Sequence, residues 1–245
     1  MRAQQILLGV GGLLLLLVLW WAGIHFSSAP GSLASRFAPQ AALVSLVELL
    51  GRPELYQNVL VSLRRILVGL TLALVIGVPV GLLVGSWRRV EQATTPAFQL
   101  LRMISPLSWM PIAVMLMGVG DQPIYFLLAF AAVWPILLNT AAGVKQLDAR
   151  WLQLGHSLSA TRWEMLTRIV LPGIAGHILT GVRLAIGILW VVLVPCEMLG
   201  VSAGLGYYIL DTRDRLAYSE LMAMVVLIGV LGYGLDAAAR WASRR

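Results

Sequence analysis

Charge is what this chain has least of. Charged residues make up 12% of its 245 positions, against about 25% in soluble domains, and so few cannot clothe the core of a water-soluble enzyme of this length. Cysteine is nearly absent: Cys196 alone excludes an internal disulfide. The three histidines, His25, His156 and His177, stand too far apart to build a metal-ligand spacing. Lysine occurs once, at Lys145, and no Gly-x-x-x-x-Gly-Lys-Ser/Thr pattern is present, so a phosphate-cradling nucleotide loop is excluded. A formal net charge of +7 invites a nucleic-acid reading. The arginines are scattered, however, without interleaved aromatic stacking platforms, which leaves them the role of setting membrane topology.

What the sequence has is long apolar runs, with 59% hydrophobic residues and a mean hydropathy of +0.86. This predicts an all-α integral membrane protein. A helix needs about 20 apolar residues to cross a bilayer, and six stretches meet or approach that: residues 6–24, 66–87, 103–120, 122–144, 176–199 and 221–239. The first ends in Trp20 and Trp21, where an interfacial aromatic belt is expected. A cleaved signal peptide is its competing reading, because Arg2 precedes the run and Ser27, Ser28 and Ala29 are small. Yet the run exceeds the roughly 7–15 residues of a signal-peptide core. Gly77, Pro79, Gly81 and Gly85 in the second stretch suggest close helix packing. The third carries Pro106 and Pro111, and the turn Gly118-Val119-Gly120-Asp121-Gln122-Pro123 makes the third and fourth antiparallel neighbours.

Six spans put both termini on one side. Placing them in the cytoplasm sets eleven basic residues inside (Arg2, Arg88, Arg89, Arg102, Lys145, Arg150, Arg162, Arg168, Arg240, Arg244, Arg245) against six outside (Arg36, Arg52, Arg64, Arg65, Arg213, Arg215), with Arg183 inside a span and uncounted. Residues 41–50 read as a short amphipathic helix on the outer interface, followed by a separate segment from Pro53 to Arg65. No internal repeat or low-complexity linker divides the chain, so residues 1–245 read as one transmembrane domain.

The largest inward-facing segment is residues 145–172, KQLDARWLQLGHSLSATRWEMLTRIVLP. It is far longer than a connector between adjacent spans needs to be. Its helical patches, about 149–158 and 162–170, can offer a short apolar face to a cytoplasmic partner, or can serve as an interfacial hairpin that only anchors the chain. The segment resembles the EAA loop of ABC-importer permeases, whose pattern is Glu-Ala-Ala, three residues, Gly, nine residues, Ile, one residue, Leu-Pro. Ile169, Leu171 and Pro172 match its end. The family glycine then falls on Ser159 and the Glu-Ala-Ala positions on Gln153, Leu154 and Gly155, so a charge contact and a close approach typical of the family are altered here. Leu154-Gly155 is similar to the Glu-Leu-Gly usual in the nitrate, sulfonate and taurine branch. Further stretches resemble the same branch: Ser62-Leu63-Arg64-Arg65 with Gly69, Pro135 to Thr140 with Gly143, and Gly181-Val182-Arg183 through Trp190, Glu197-Met198 and Gly204-Leu205-Gly206-Tyr207. They cover most of the chain after about Tyr56.

The resemblance implies a type I (MetI-like) importer permease of the bacterial inner membrane, multi-pass, working as a homodimer on two cytoplasmic ABC ATPase subunits, with an extracytoplasmic solute-binding protein and no nucleic-acid partner. ATP and magnesium are then bound by the partner ATPase, and this chain carries no cofactor and is not an enzyme. Gln153, Leu154, Gly155, His156, Leu158, Ser159, Ala160, Ile169, Leu171 and Pro172 are the implied ATPase-coupling residues, with the coupling helix at about 153–161 and Pro172 stopping the cytoplasmic helix. The implied solute is a small anion such as a sulfonate, taurine, nitrate or bicarbonate. Ser105, Ser108, Asn139, Thr140, Arg183 and Glu197 are candidate pathway residues, each with an interhelical hydrogen bond, snorkelling or an outer-interface position as its structural alternative. Two other classes compete. An ion-coupled secondary transporter needs its own ion site and usually inverted repeats, and an intramembrane enzyme needs a catalytic constellation that one cysteine and three separated histidines do not supply.

Overall fold

The structure, a computed structural model, describes residues 2–27 and 36–242, and every regular element among them is helical. Ser28, Ala29, Arg244 and Arg245, used above for processing and topology, lie outside the described residues. Eleven helices follow in order: α1 (Arg2–Ser27), α2 (Pro39–Leu50), α3 (Pro53–Ser86), α4 (Arg88–Met103), α5 (Met110–Met117), α6 (Asp121–Gln146), α7 (Ala149–Ser157), α8 (Arg162–Glu164), α9 (Leu171–Glu197), α10 (Leu205–Asp214) and α11 (Tyr218–Ala242). Four helical stretches are long and apolar enough to cross a membrane: α3, α6, α11 and the continuous run Arg162–Glu197 that joins α8 to α9. The bent pair α4 and Pro106–Met117 raises the number to five if it crosses as one unit. In α1 the apolar part is Gly11–Phe26.

The centre is a three-helix packing of α3, α6 and α9. Buried Ile66 and Ala73 of α3 meet Ile124, Leu128, Ala132 and Ile136 of α6 and Ala185, Leu189 and Leu193 of α9. Small residues at four-residue spacing on α3 (Gly69, Ala73, Gly77, Gly81) are buried against α6, which lets the two backbones approach closely. A Cβ at Gly81 would stand 2.7 Å from the Leu137 carbonyl oxygen and from Thr140 Cβ. A second cluster joins α2, α10 and α11 through Leu49, Leu205, Tyr208 and Met224. Trp190 of α9 packs on both clusters, and its indole N–H donates to the Ile228 carbonyl at 3.0 Å.

Three expectations are corrected. The third apolar run does not form one helix over 103–120: α4 ends at Met103, and the chain bends by 85° before Pro106–Met117. Pro106 is the cause, because the residue before a proline is pushed out of the helical region, and Ser105 sits at φ −59°, ψ 131°. The segment from Pro53 to Arg65 is not separate from the second run either. With Pro53 in the first helical turn, where its missing N–H costs nothing, α3 runs unbroken for 34 residues. Pro172 does not stop the preceding helix. The turn Met165–Val170 is a π-helix, and this wider turn carries α8 into α9 with Pro172 in the first turn of α9.

Candidate functional site

At one end of the bundle, residues 145–172 fold back as two short helices. Asp148 caps α7, accepting from the Arg150 backbone N–H at 2.9 Å. α8 starts in a capping box: the Thr161 hydroxyl accepts from the Glu164 backbone N–H at 3.3 Å, and the Glu164 carboxylate accepts from the Thr161 backbone at 3.0 Å. Between them the chain turns at Ser159, whose φ of 54° lies in the left-handed region. The Ser159 and Ala160 backbone N–H groups donate to His156 and Gly155 carbonyls, each at 3.0 Å, closing the end of α7. α7 therefore ends at Ser157, and the helix expected at 153–161 is instead α7 followed by this turn.

Gly155 is buried where α7 rests on the π-turn. A Cβ there would lie 2.7 Å from Ile169 Cδ1 and from Met165 Cε. Trp151, Leu154, Leu158 and Trp163 are exposed by 50–74%, the first three on the same face of α7 as Gly155, with Gln153 and His156 also exposed. Ala160, Ile169 and Leu171 are half-buried, and Pro172 is exposed. An open cavity of about 840 Å³ lies between α7, Ile169, Pro172 and the ends of α6 and α9, where His177 Nε2 meets Gln146 Oε1 at 3.1 Å. The hairpin is thus held by a glycine contact and two caps, while Trp151, Leu154 and Leu158 line the open cavity.

Where the start of α6 and the end of α9 meet the first half of α3 lies a buried ionic cluster that the sequence does not announce. Arg65 is 3% exposed and Glu197 fully buried. Arg65 Nη1 donates to Glu197 Oε1 and to the Ala203 carbonyl, each at 2.7 Å, and its Nη2 and Nε reach Asp121 Oδ1 at 2.6 and 2.9 Å. Ser62 Oγ donates to Glu197 at 2.7 Å and accepts from the Leu205 backbone at 2.9 Å, while the Gly206 backbone donates to Glu197 Oε2 at 2.9 Å. Glu197 therefore does not sit at an exposed outer interface as its neighbours in sequence suggested. Four elements, α3, α6, α9 and α10, converge on one arginine and one glutamate. Gly204, at φ 122°, permits this: a Cβ there would stand 2.5 Å from both Arg65 Nη1 and Glu197 Cδ.

The other candidate pathway residues are dispersed. Asn139 donates from Nδ2 to the Pro135 carbonyl at 2.8 Å, and buried Thr140 donates to the Ile136 carbonyl at 2.7 Å. Both bonds stay within α6, although Asn139 also lines a cavity of about 360 Å³ between α6, α9 and the bend at Ile104. Ser105 and Ser108 are exposed and line no cavity with it. Arg183 lies 3.6 Å from Asp236 of α11, a partner that accounts for its place within a span. Among the described residues no group of three histidine, cysteine, aspartate or glutamate side chains is placed to hold a metal.

Comparison with known proteins identifies the family. The family model for "Binding-protein-dependent transport system inner membrane component" matches residues 77–245. The bicarbonate transport system permease protein CmpB of Synechococcus elongatus is 34% identical over 99% of this chain and 90% of its own length. The taurine transport system permease protein TauC of Escherichia coli is 30% identical over 99% of this chain and 90% of its own. Nitrate import permease protein NrtB of Synechocystis is 33% identical over 73% of this chain and 65% of its own length. Among solved structures, an inward-facing form of the MetNI methionine ABC transporter superposes with a TM-score of 0.64 at 16% identity, covering 78% of this chain and 95% of that one. This last likeness is one of fold.

Proposed function

Since the chain belongs to the family of binding-protein-dependent transport system inner membrane components, in the nitrate, sulfonate and taurine branch, we propose that it forms the translocation pathway of an ATP-driven importer and couples to its ATPase through residues 145–172. The relatives are transport permeases, not enzymes. The observation that supports the coupling role is an open, apolar-lined cavity at the end of the bundle, walled by Trp151, Leu154 and Leu158 of a hairpin capped at Asp148 and Thr161. A short hairpin with exposed apolar side chains, at the end of two long apolar helices, suits docking against a partner.

In this reading the membrane protein is a homodimer on two ATPase subunits, with six spans and both termini in the cytoplasm. A solute-binding protein delivers a small anion, bicarbonate, nitrate, taurine or another sulfonate, to the far side. Magnesium and ATP sit on the ATPase, whose closure supplies the differential contacts that shift the permease between its two access states. The π-turn at Met165–Val170 links the docked hairpin directly to α9, so a displacement of α7 is passed to a long helix without an intervening loop.

Purification from the native membrane in mild detergent tests this. A Walker-motif ATPase recovered at 1:1, together with ATP-dependent uptake in vesicles, is the expected result. Recovery of the permease alone, with uptake driven by an ion gradient and indifferent to ATP, would overturn it in favour of a secondary transporter.

A further inference from the structure

Arg102 stands in a setting that its place in the sequence does not suggest. Glu91, near the start of α4, is ion-paired with Lys145 near the end of α6, and the Phe98 ring packs on Trp134 with centroids 5.7 Å apart. α4 therefore runs antiparallel beside α6. Arg102 follows Glu91 by eleven residues on α4, and Trp134 precedes Lys145 by eleven on α6, so an equal rise of about 16 Å along each helix brings them to one level. Trp134 stands midway along the 26 residues of α6. Arg102 is thus level with the middle of a membrane helix, not with its end, where a count of loop charges had put it.

A cation at that depth is costly and is ordinarily paired or set beside a water-filled path. Among the described residues no carboxylate lies within ion-pair distance of Arg102 and no hydrogen bond satisfies it. Its side chain is also far shorter than the ~16 Å back to the level of Glu91, so it cannot snorkel to that surface. What it faces is space. Arg102, Trp134 and Leu138 line two adjoining cavities of about 300 and 360 Å³, one reaching towards Lys145 and the other lying under the bend at Ile104 and Pro106. The first holds one carboxylate, Glu91, already paired with Lys145, and the second holds none. Asn139 adds an amide to the second cavity, with one N–H engaged by the Pro135 carbonyl and one free, and the Trp134 ring is part of the wall of both.

One unneutralised guanidinium and one free amide N–H among apolar walls make a pair of donors in want of an acceptor with negative charge. The planar fork of arginine matches the oxygens of nitrate, bicarbonate, carboxylate or sulfonate. We infer that Arg102, with Asn139 and against the Trp134 ring, forms a small-oxyanion subsite midway along the pathway, between α4, α6 and α9. The inference deepens the proposed function and rests on it. The 85° break follows Arg102 directly and places Ile104 and Pro106 in the wall of the second cavity.

The test uses the whole complex in proteoliposomes, with ATP on the ATPase side, the binding protein on the other, and nitrate, bicarbonate and taurine as probes. Wild type takes up at least one of them. In R102Q uptake falls by about tenfold or more, the factor expected when a hydrogen bond to a charged group is lost, and N139D, which sets a carboxylate in the same cavity, falls similarly. R102K keeps most of the uptake, and R102Q/N139R, which returns the charge from α6, recovers part of it, a rescue that a purely structural role for Arg102 would not give. Co-purification with the ATPase confirms that each variant is assembled. Wild-type uptake in assembled R102Q overturns the subsite; if R102Q does not assemble, wild-type uptake in N139D does. Absence of ATP-driven uptake of all three probes by the wild type overturns the proposed function itself.

Discussion

Arg65 and Glu197, 132 positions apart in the chain, meet at 2.7 Å with almost no access to solvent. Neither has a sequence neighbour that explains it. Arg65 adds Asp121 and the Ala203 carbonyl, Glu197 adds Ser62 and the Gly206 backbone, and the charge of each is fully met by groups from other elements. The start of α6 and the end of α9 are thereby fixed to the first half of α3 and to the start of α10. At the other end of the bundle, among the described residues, the π-turn and the capped hairpin are held by caps and by the Gly155 contact and not by a buried ion pair.

Breaking that pair is expected to be severe. Removing one partner of a buried ion pair leaves an uncompensated charge and costs about 3–5 kcal/mol. For a chain of this size that is a fall in melting temperature of roughly 6–20 °C. E197A and R65A should each show it in thermal unfolding of the detergent-purified protein. The double variant R65M/E197M, with no charge left behind, should recover much of the loss, since apolar replacement of a whole buried pair is often neutral. A melting temperature for E197A equal to wild type would mean that the cluster does not hold the helix ends.

The α3–α6 contact predicts a position-specific effect. At Gly81 any side chain meets the Leu137 carbonyl, a backbone atom that cannot rotate away, whereas Gly187 has nothing within 4 Å of an added Cβ. G81V should cost at least the ~1–3 kcal/mol of core overpacking. G187A should be neutral or slightly stabilising, because alanine favours a helix interior over glycine by about 1 kcal/mol. The same melting experiment reads both, and equal behaviour of the two would remove the close-packing account.

Much of this fold is legible along the chain. Apolar length alone marks α3, α6, α9 and α11, and the Gly118–Pro123 turn marks the start of α6. Local pairing rules cannot find the Arg65–Glu197 contact, because it depends on three helices meeting. α10 is too short and too polar to register as a span, and its start at Gly204 is dictated by the ionic cluster beneath it. The break after Met103 was open to inspection: Pro106 constrains Ser105, and an apolar run of about 18 residues hid the signal. Ser62 and Asp121 escaped notice as site residues because an arginine-rich helix start and an acidic turn each have an ordinary surface explanation. The coupling pattern at residues 153–172 is legible as spacing, yet the left-handed turn at Ser159 is visible only in three dimensions.

The Lys145–Glu91 pair provides the contrast to the buried cluster. Its side chains are 44% and 33% exposed, and ion pairs of that kind contribute about 0–1 kcal/mol. K145M and E91Q should therefore leave the melting temperature within roughly 4 °C of wild type, and raised salt should shrink even that difference. A loss as large as that of E197A would show that the pair fixes α4 to α6 more firmly than its exposure implies.

Ser159 separates geometry from contact in the coupling segment. A non-glycine residue at φ 54° carries a left-handed penalty of about 1–2 kcal/mol, which glycine does not have. S159G should therefore stabilise the turn and keep both ATPase binding and uptake. S159V adds a β-branched side chain at a backbone angle that such residues tolerate least, so α7 should shift against α8 and ATPase recovery should fall. G155R acts on the other side of the same element, driving a long side chain into Ile169 and Met165, and should abolish coupling while the protein remains in the membrane. Co-purified ATPase per permease, measured beside uptake, distinguishes the cases. If S159V and G155R both recovered ATPase and transported like the wild type, the docking element would have to lie outside residues 149–161.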